Sequence, residues 1–545
     1  MTTTMLELQG RVVPLQRADP DAHLIGRVRF GPEIDPPSPH PGSVGGVASD
    51  SGPMVVEGFR ARRAEPPAGV HQIDVGDAYI YPGLTDLHSH LGFATLPMWD
   101  EPTRTKGPWL HRDLWPGAPS YREHVSWPAY AYMKGAPEAL LAYAQVRALA
   151  GGTTTIQGWP PAKGIPVNRF VRSVDDDIDR EAIRTSVINL RPSELDDRRQ
   201  HLDHDRALVY HLSEGQRDSK VAREFTEAAT AGCLRFRLIA IHCCAVGPAE
   251  FRQWNLHATR VAGEQAPGGI VWSPLSNLWL YGQTTDVVSA MAEGITVCLG
   301  SDWGPSGTKN LLGEMKVAVR WIQRAGLDSI TAFDLAKMVT ANPGDLLERA
   351  WGRGPGRFEE GRLADAVVIT RRHDDPWKNL VLARESDIEL VVANGRAVYG
   401  DRARMRSAGE RLTTAVRFGG RSKHVPLRRP DDPGRRWTWT DVMEELSAVQ
   451  ADPVQAIENG LNAEAAHFED GPDGPAPRLI LESDMPGGPG SVAGPPPPGT
   501  VFQAPEIPGI VHDRAWYASL RSPRGWHDEV LDDIDQLFAD DGDWS

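Results

Sequence analysis

Positive charge is in deficit along this chain of 545 residues. The 58 Lys and Arg side chains are outnumbered by 73 Asp and Glu side chains, which gives a net charge of −15 at pH 7. Nucleic acids and anionic membrane surfaces are themselves negative, so this balance disfavours both as main partners. We therefore expect no nucleic-acid partner and no membrane partner.

Cysteine is scarce, and long apolar runs are missing. The four cysteines (Cys233, Cys243, Cys244 and Cys298) fall in one middle region instead of along the whole chain. This favours reduced thiols in a cytoplasmic protein over a disulfide framework. No segment approaches the roughly 18 consecutive apolar residues that span a bilayer, and the first residues do not read as a signal peptide. We expect a cytoplasmic location.

Changes of pattern predict an α/β protein with three parts. Residues 1–80 contain short strand-like segments, interrupted by a Pro/Gly/Ser-rich loop at 32–53. Residues 81–356 alternate apolar strands with helices, which predicts βα units and, at this length, a closed (β/α)8 TIM barrel. Residues 357–425 return to short strands, and we expect them to join 1–80 in a composite β-sandwich. Residues 426–545 form a C-terminal extension, part helical, part Pro/Gly-rich linker, with an acidic end.

His88 and His90 stand one residue apart in the stretch YPGLTDLHSHLGF, residues 81–93. If 79–90 runs as one strand, the two side chains project from the same face. Neutral imidazole is a common ligand for Zn²⁺ and similar ions. Two ordinary polar residues at a strand end would show the same spacing, so this motif alone leaves both interpretations open.

Three later strand-like runs end in residues suited to the same chemistry. They are LVYHLSEG with His211 and Glu214, LRFRLIAIHCCAV with His242, and ITVCLGSD with Asp302. Taken singly, each could be a hydrogen-bonded core residue, a turn residue or a helix cap. The C-terminal ends of barrel strands meet at one mouth, however, so these side chains could join the first two histidines. Three imidazoles and one carboxylate suit Zn²⁺ or Fe²⁺ with a position left open for water.

The chain resembles the amidohydrolase superfamily. Residues 81–90 are similar to its P-G-x-x-D-x-H-x-H motif, and further stretches follow in that family's order: HLSEG, IHCCAV, WSPLSNLWLYG, LGSD, TANPG and GRLADAVVI. The H-x-x-E of 211–214, followed by W-S-P-L-S-N, is most similar to the branch of cytosine, adenosine-homocysteine and triazine deaminases and chlorohydrolases. The resemblance covers about residues 55–400. It implies a (β/α)8 barrel beside a composite β-sandwich, with one catalytic divalent metal.

The resemblance also implies a role for each site residue. The metal ligands that it implies are His88, His90, His211 and Asp302. Glu214 would carry the proton with help from Asp302, and His242 would orient the activated water or polarise the substrate. Relatives with two metals bridge them with a carboxylated Lys, and the corresponding stretch 182–195 contains no Lys. We therefore expect one metal, Zn²⁺, with Fe²⁺ or Mn²⁺ as alternatives.

Tryptophan is abundant, with 17 in the chain, and several follow predicted strands. Trp99, Trp159 and Trp303 could line an aromatic pocket for a flat substrate, although each could equally pack a loop onto the barrel. Lys309 could bind a carboxylate or phosphate of the substrate, or be a solvated surface residue.

The predicted function is hydrolysis of a non-peptide carbon–nitrogen bond in a small molecule by a metal-activated hydroxide, with deamination of a nitrogen heterocycle as one such reaction. An amide, lactam or C–Cl hydrolase could use the same site. A catalytically inactive scaffold of the same fold is the alternative from a different class, and the complete set of ligands with Glu214 and His242 disfavours it. A homo-oligomer and the role of residues 426–545 are left open.

Overall fold

A computed structural model of the chain describes residues 5–17, 19, 22–32, 54–61, 70–105, 107–160, 162–163, 169–175, 182–186, 190–429, 436–469, 478–479, 496–497 and 499–520. The loop predicted at 32–53 lies almost wholly outside these ranges. So do most of the predicted Pro/Gly-rich linker and the whole acidic end of the chain.

The described residues contain nineteen strands and fifteen α-helices. The strands are β1 Met5–Val12, β2 Leu24–Pro32, β3 Met54–Ala61, β4 Val70–Pro82, β5 Leu84–Asp86, β6 Thr153–Ile156, β7 Ala162–Lys163, β8 Arg172–Ser173, β9 Ile183–Ser186, β10 Ala207–Leu212, β11 Leu238–His242, β12 Gly269–Trp272, β13 Thr296–Leu299, β14 Ala366–Ile369, β15 Ile388–Ala393, β16 Arg396–Gly400, β17 Thr414–Phe418, β18 Arg421–Val425 and β19 Arg478–Leu479. The helices are α1 Trp127–Gly135, α2 Pro137–Ala150, α3 Pro192–Asp203, α4 Ala222–Thr230, α5 Pro248–Leu256, α6 Pro274–Tyr281, α7 Val287–Ala292, α8 Leu311–Ala325, α9 Ala332–Met338, α10 Ala341–Trp351, α11 Pro376–Val381, α12 Arg402–Ser407, α13 Trp439–Ala451, α14 Pro453–Glu469 and α15 Arg514–Ser519.

Strands from both ends of the chain form one nine-stranded mixed sheet, in the order β17-β18-β16-β15-β14-β4-β1-β2-β3. The two parts join where β4 pairs antiparallel with β14, with Tyr81 opposite Val367. A core of apolar side chains that includes Leu8, Phe30 and Val368 is buried along this sheet. Because the β14–β4 pairing joins the C-terminal strands to the N-terminal strands, neither set has to bury its apolar side chains alone.

The strand expected over 79–90 is two strands in different sheets, which corrects that expectation. β4 ends at Pro82 in the nine-stranded sheet, and β5 begins at Leu84 in a parallel sheet. Gly83 lies between them because the chain passes very close to Thr154 there, and a Cβ on residue 83 would lie 2.2 Å from Thr154 Oγ1. His88 and His90 therefore follow β5 instead of lying within it.

Eight strands lie in two parallel sheets, in the orders β5-β6-β8 and β13-β12-β11-β10-β9. β10, β11 and β12 are buried along their whole lengths, as expected for apolar parallel strands covered on both faces. A parallel bridge between Ser89 and Asp302 joins the segments that follow β5 and β13. The α/β class is confirmed. Closure of the eight strands into a barrel stays a prediction, since no ladder joins β8 to β9 among the described residues.

Helix α8 follows β13 and shows how local sequence sets a helix. The Asn310 side chain caps its N-terminus by accepting a hydrogen bond from the Leu312 N–H at 3.0 Å. Gly326 ends the helix in the left-handed conformation, with φ of 64°. The helix thus begins nine residues after Asp302 and fixes the far end of the loop that follows this candidate ligand.

The C-terminal residues 499–520 dock against that same loop. The His512 ring accepts a hydrogen bond at Nε2 from the Lys309 backbone N–H (3.0 Å), and its Nδ1 donates to Glu385 Oε1 (2.6 Å). The Lys309 Nζ donates to the carbonyls of Gly509 and Val511, both at 2.6 Å. We call Lys309, Glu385 and His512 the C-terminal clasp.

Two further features bear on the sequence-based expectations. All four cysteines are free and buried. Among the described residues, no helix combines the length and the apolar character that crossing a bilayer requires. The domain boundaries proposed at residues 80, 356 and 425 stay predictions.

Candidate metal centre

Four histidines converge at the ends of the parallel strands. The His88 ring centroid lies 4.9 Å from that of His90, 4.7 Å from that of His211 and 4.9 Å from that of His242. Asp302 completes the cluster, with Oδ1 at 2.9 Å from His88 Nε2 and 3.6 Å from His90 Nε2. The strand ends therefore bring together the residues that the sequence predicts, from segments up to 214 residues apart.

The donor set fits a cation. Ligand atoms of His88, His90 and His211 lie within 4.8 Å of one another, as do those of His88, His242 and Asp302. His88 is fully buried, and within the described part of the chain neither of its ring nitrogens has a hydrogen-bond partner of acceptable geometry. Buried polar atoms are normally satisfied, so an imidazole of this kind suits a ligand that the polypeptide does not supply.

The electrostatics of the cluster favour the protonation states that bind metals. Burial, and then the neighbouring imidazoles of His88 and His242, lower the pKa of His211 well below its ordinary value. Burial opposes ionisation of Asp302, but the imidazoles of His88, His242 and His90 together outweigh it, and the pKa of Asp302 falls well below its ordinary value. Neutral imidazole and ionised carboxylate are the forms that coordinate a cation.

Two of the rings are oriented by outer contacts. His211 Nδ1 lies 3.4 Å from the Ser186 carbonyl, and His242 Nδ1 lies 2.9 Å from Asn277 Oδ1. The Asn277 amide nitrogen donates towards the hydroxyls of Thr284 and Thr285, which identifies its oxygen as the acceptor for His242. Both rings then donate through Nδ1 and turn Nε2 to the cluster, as outer partners of metal-site histidines commonly arrange.

Glu214 lies beside the cluster and is buried. Its Oε1 accepts a hydrogen bond from Tyr281 Oη at 2.5 Å, and its Oε2 lies 3.7 Å from His242 Nε2. Burial, followed by the Glu214 carboxylate, raises the pKa of Tyr281 well above its ordinary value, so the phenol keeps its proton at neutral pH. Glu214 is thus held within reach of the cluster by a phenol that donates its proton to Oε1.

Strained backbone marks the same strand ends. Ser213, His242 and Asp302 have φ of 53°, 67° and 62°, although none is a glycine. Such conformations cost about 1–3 kcal/mol each and collect at functional sites.

The segment that carries His88 and His90 is also held tightly. Asp86 accepts hydrogen bonds from the His88 N–H and from the Ser301 hydroxyl, which ties the end of β5 to the end of β13. Burial raises the pKa of Asp86 to about 7. Gly158 allows the loop after β6 to approach the backbone between the histidines, because a Cβ there would lie 1.5 Å from the Ser89 oxygen.

The predicted substrate residues fall into different settings. Trp303 stacks on Trp115 with ring centroids 5.0 Å apart, and Trp99 meets Trp303 edge-on at 6.4 Å. Trp159 is buried, and its Nε1 has no hydrogen-bond partner in the described structure. Lys309 is buried and directs its ammonium group to the C-terminal clasp.

Sequence reasoning gave no role to several residues that organise the site. Asp86 is the aspartate of the PGLTD stretch, and Asn277 and Tyr281 lie within WSPLSNLWLYG. Their positions in these motifs were a signal, but their partners come from loops elsewhere in the chain. His512 carried no signal, since it is a lone histidine in a Pro-rich region.

Comparison with known proteins agrees with the sequence motifs. Residues 200–398 match the Amidohydrolase family. The chain is 26% identical over 432 residues to a 5-methylthioadenosine/S-adenosylhomocysteine deaminase of Syntrophobacter fumaroxidans, an alignment that covers 69% of this chain and 93% of the relative. The predicted resemblance to this superfamily is confirmed.

Solved structures share the fold. A triazine hydrolase from Arthobacter aurescens has a TM-score of 0.52 at 18% identity, covering 73% of this chain and 95% of that one. An adenosine deaminase from Xanthomonas campestris with bound zinc has a TM-score of 0.51 at 16% identity, covering 72% and 92%. At these identities the likeness establishes the fold alone.

Proposed function

We propose that this chain, a member of the amidohydrolase superfamily, is a metal-dependent hydrolase that cleaves a carbon–nitrogen bond of a small nitrogen heterocycle. The observation that carries the proposal is the buried cluster of imidazoles and one carboxylate, in which His88 Nδ1 has no hydrogen-bond partner among the described residues and Nε2 faces Asp302 Oδ1 at 2.9 Å. Glu214, a group able to move a proton, lies beside that cluster.

One divalent cation would be held by four side chains: His88, His90, His211 and Asp302. Zn²⁺ fits this set of nitrogen and oxygen donors, with Fe²⁺ or Mn²⁺ as alternatives. Such a cation lowers the pKa of a bound water towards 7 and so supplies a nucleophile at neutral pH. Asp302 keeps its negative charge in this setting, which strengthens its hold on a cation.

Glu214 would transfer the proton, and His242 would align the reactants. Glu214 takes the proton that the attacking water loses and returns it to the leaving nitrogen. His242 keeps Nε2 towards the centre because its Nδ1 is bonded to Asn277, so it can orient the nucleophile or polarise the substrate. Asp302 Oδ2 lies 3.9 Å from His242 Nε2, so Asp302 is close enough to assist the proton transfer.

Aromatic side chains around the centre suit a flat ring. Trp303 follows the candidate ligand Asp302 directly, and Trp99 and Trp115 pack against it. The indole N–H of Trp159 is a buried donor with no partner in the described residues, so it could bind an acceptor atom of the ring. The deaminase named above has an adenosine derivative in its name, which supports this substrate class.

We also infer the architecture that carries this site. The eight parallel strands would close into a (β/α)8 barrel over residues 81–356, flanked by the nine-stranded sheet from 1–80 and 357–425. The Ser89–Asp302 bridge and the shared fold of the solved relatives support closure. The site would then lie at the C-terminal ends of the strands, where barrels of this type hold their chemistry.

The test combines metal content with ammonia release. Elemental analysis of the purified protein should find about one Zn, Fe or Mn per chain. A panel of amino-substituted purines, pyrimidines and triazines should include a ring that yields ammonia. Release of chloride from chloro-substituted triazines would instead indicate a C–Cl hydrolase. Two metals per chain would mean that a bridging ligand was missed. No metal after reconstitution with Zn²⁺ would favour an inactive scaffold.

A further inference from the structure

The two oxygens of the Glu214 carboxylate have different surroundings. Oε1 accepts a hydrogen bond from Tyr281 Oη at 2.5 Å, whereas Oε2 lies 3.7 Å from His242 Nε2 and so borders the metal cluster. Glu214 and Tyr281 are both buried, with 5% and 1% of their surfaces exposed. Water therefore does not readily replace either contact.

The Tyr281 hydroxyl is itself oriented. Trp115 Nε1 lies 3.1 Å from Tyr281 Oη, and an indole nitrogen can only donate. The Tyr281 oxygen therefore accepts from Trp115, and its own proton is left to point at Glu214. The direction of both hydrogen bonds follows from the chemistry of the three groups, without any assumption about hydrogen positions.

The backbone holds these side chains in register. Tyr281 ends α6, and its carbonyl accepts a hydrogen bond from Gln216 Nε2 at 3.1 Å, two residues after Glu214. The loop that carries Trp115 is joined to the same turns, because the Trp109 N–H donates to the Leu280 carbonyl at 2.7 Å. Three segments distant in sequence are thus fastened around one carboxylate.

We propose that Tyr281 is a positioning residue that holds Glu214 through Oε1 and leaves Oε2 as the atom that moves the proton, with Trp115 orienting Tyr281. This inference rests on the proposed function of Glu214. In the step concerned, Oε2 takes the proton lost by the attacking water and gives it to the leaving nitrogen, so the carboxylate ends as it began. Tyr281 keeps its own proton throughout.

Tyr281→Phe is the direct test, because it removes one hydroxyl and keeps the ring. With Oε1 released, Glu214 can rotate, and we expect kcat to fall about tenfold to a hundredfold, in the range that misplacing a catalytic group causes. KM should stay within about twofold and the metal content should not change, since Tyr281 contacts no candidate ligand. Trp115→Phe should lower kcat less, because Tyr281 then keeps its proton but loses its orienting partner.

Tyr399→Phe is the matched control. Tyr399 is also fully buried, but it lies on β16 in the nine-stranded sheet, and its hydroxyl has no hydrogen-bond partner in the described part of the chain. Its loss should leave kcat and KM unchanged. An equal fall of kcat in the two variants would mean that Tyr281→Phe acts by general loosening, and would overturn the proposal.

Combining the substitutions separates positioning from an independent role. If Tyr281 acts only through Glu214, Tyr281→Phe should cause no further loss of kcat in the Glu214→Gln background. If the double variant instead lost kcat by the product of the two single losses, Tyr281 would serve the reaction in another way, and the proposal would be wrong.

A crystal structure of the Tyr281→Phe protein gives a readout that needs no activity. The Glu214 carboxylate should turn away from its wild-type position or occupy two rotamers, whereas it should stay single in the Tyr399→Phe protein. An unmoved carboxylate would overturn the proposal. If the wild-type protein hydrolyses no substrate on the panel, the proposed function fails, and the order of Glu214 in these crystals still decides whether Tyr281 positions it.

Discussion

Two buried clusters of titratable side chains lie at either end of the short loop 303–309, and they differ in how their polar atoms are satisfied. In the candidate metal centre, His88 Nδ1 finds no hydrogen-bond partner within the described structure, and Nε2 faces the Asp302 carboxylate at 2.9 Å. In the C-terminal clasp, both ring nitrogens of His512 are bonded, and the Lys309 ammonium donates to two carbonyls.

The difference separates a binding site from a structural contact. Burying a polar group costs free energy unless it is hydrogen-bonded, so a set closed by protein atoms alone stabilises the fold. A cluster whose polar atoms lack protein partners can instead bind a ligand from outside the chain. Both clusters are buried, and the completeness of their hydrogen bonds is a feature that tells them apart. Four predictions test this comparison.

The largest effect should come from removing a ligand of the candidate metal centre. His88→Ala removes the ligand at its middle, so we expect loss of the bound metal and of activity, exceeding the roughly hundredfold loss that an outer partner of a metal site causes. Elemental analysis and ammonia release measure both. His424→Ala is the control, since His424 lies on β18 and pairs with Thr413. Retention of stoichiometric metal in His88→Ala would contradict the assignment.

Glu214→Gln should separate proton transfer from metal binding. The amide keeps the size of the side chain and can still accept from Tyr281, but it carries no proton for the leaving group. We expect kcat to fall about a hundredfold to ten-thousandfold with unchanged metal content. Loss of metal in this variant would mean that Glu214 is a ligand and that its proposed role is wrong.

Breaking the clasp should affect stability and leave the metal in place. His512→Ala removes the donor to Glu385 and the acceptor for the Lys309 N–H, both in a buried setting. We expect the free energy of unfolding to fall by about 2–4 kcal/mol. Chemical denaturation measures it, with elemental analysis alongside. Unchanged stability together with lost metal would reverse the distinction between the two clusters.

The smallest expected effect is a pH dependence of the clasp. Burial lowers the pKa of His512, because a buried imidazole is disfavoured in its charged form. The unfolded chain then binds more protons than the folded chain below about pH 6.5, so stability falls as the pH drops from 6.5 towards the folded pKa. The slope contributed by one histidine is at most about 1.4 kcal/mol per pH unit.

Comparison with His512→Gln tests this contribution, since residue 512 is the one position that differs between the two proteins. We expect a shallower decline of stability below pH 6.5 in the variant, measured by denaturation at a series of pH values. Parallel curves would show that His512 does not titrate over this range.

The sequence predicted the metal centre better than its surroundings. His88 and Asp302 follow strands and His211 lies near the end of β10, and the ends of parallel strands meet at one edge of a sheet, so local patterns were enough to predict that they meet. The break at Gly83 was missed because it depends on the close approach of Thr154, a residue 71 positions away in the sequence.

Lys309 illustrates what local patterns cannot supply. Its sequence neighbours allowed either a substrate contact or a solvated side chain, and neither anticipated two carbonyls from residues 509 and 511. Gly313 lies where the His512 ring packs, and a Cβ there would come within 2.3 Å of Nε2. Nothing near Gly313 in the sequence indicates this contact.

The sequence by itself determined the α/β class, the candidate ligands and the resemblance to the amidohydrolase family, because each depends on short motifs and on the alternation of apolar strands with helices. Tertiary structure decided which oxygen of Glu214 faces the centre, which group orients it, and where the C-terminal residues dock. The Tyr281–Glu214 and Lys309–His512 contacts join residues that are 67 and 203 positions apart. Residues this far apart in the sequence share no local pattern that would predict their contact. Only the packing of the folded chain brings them together.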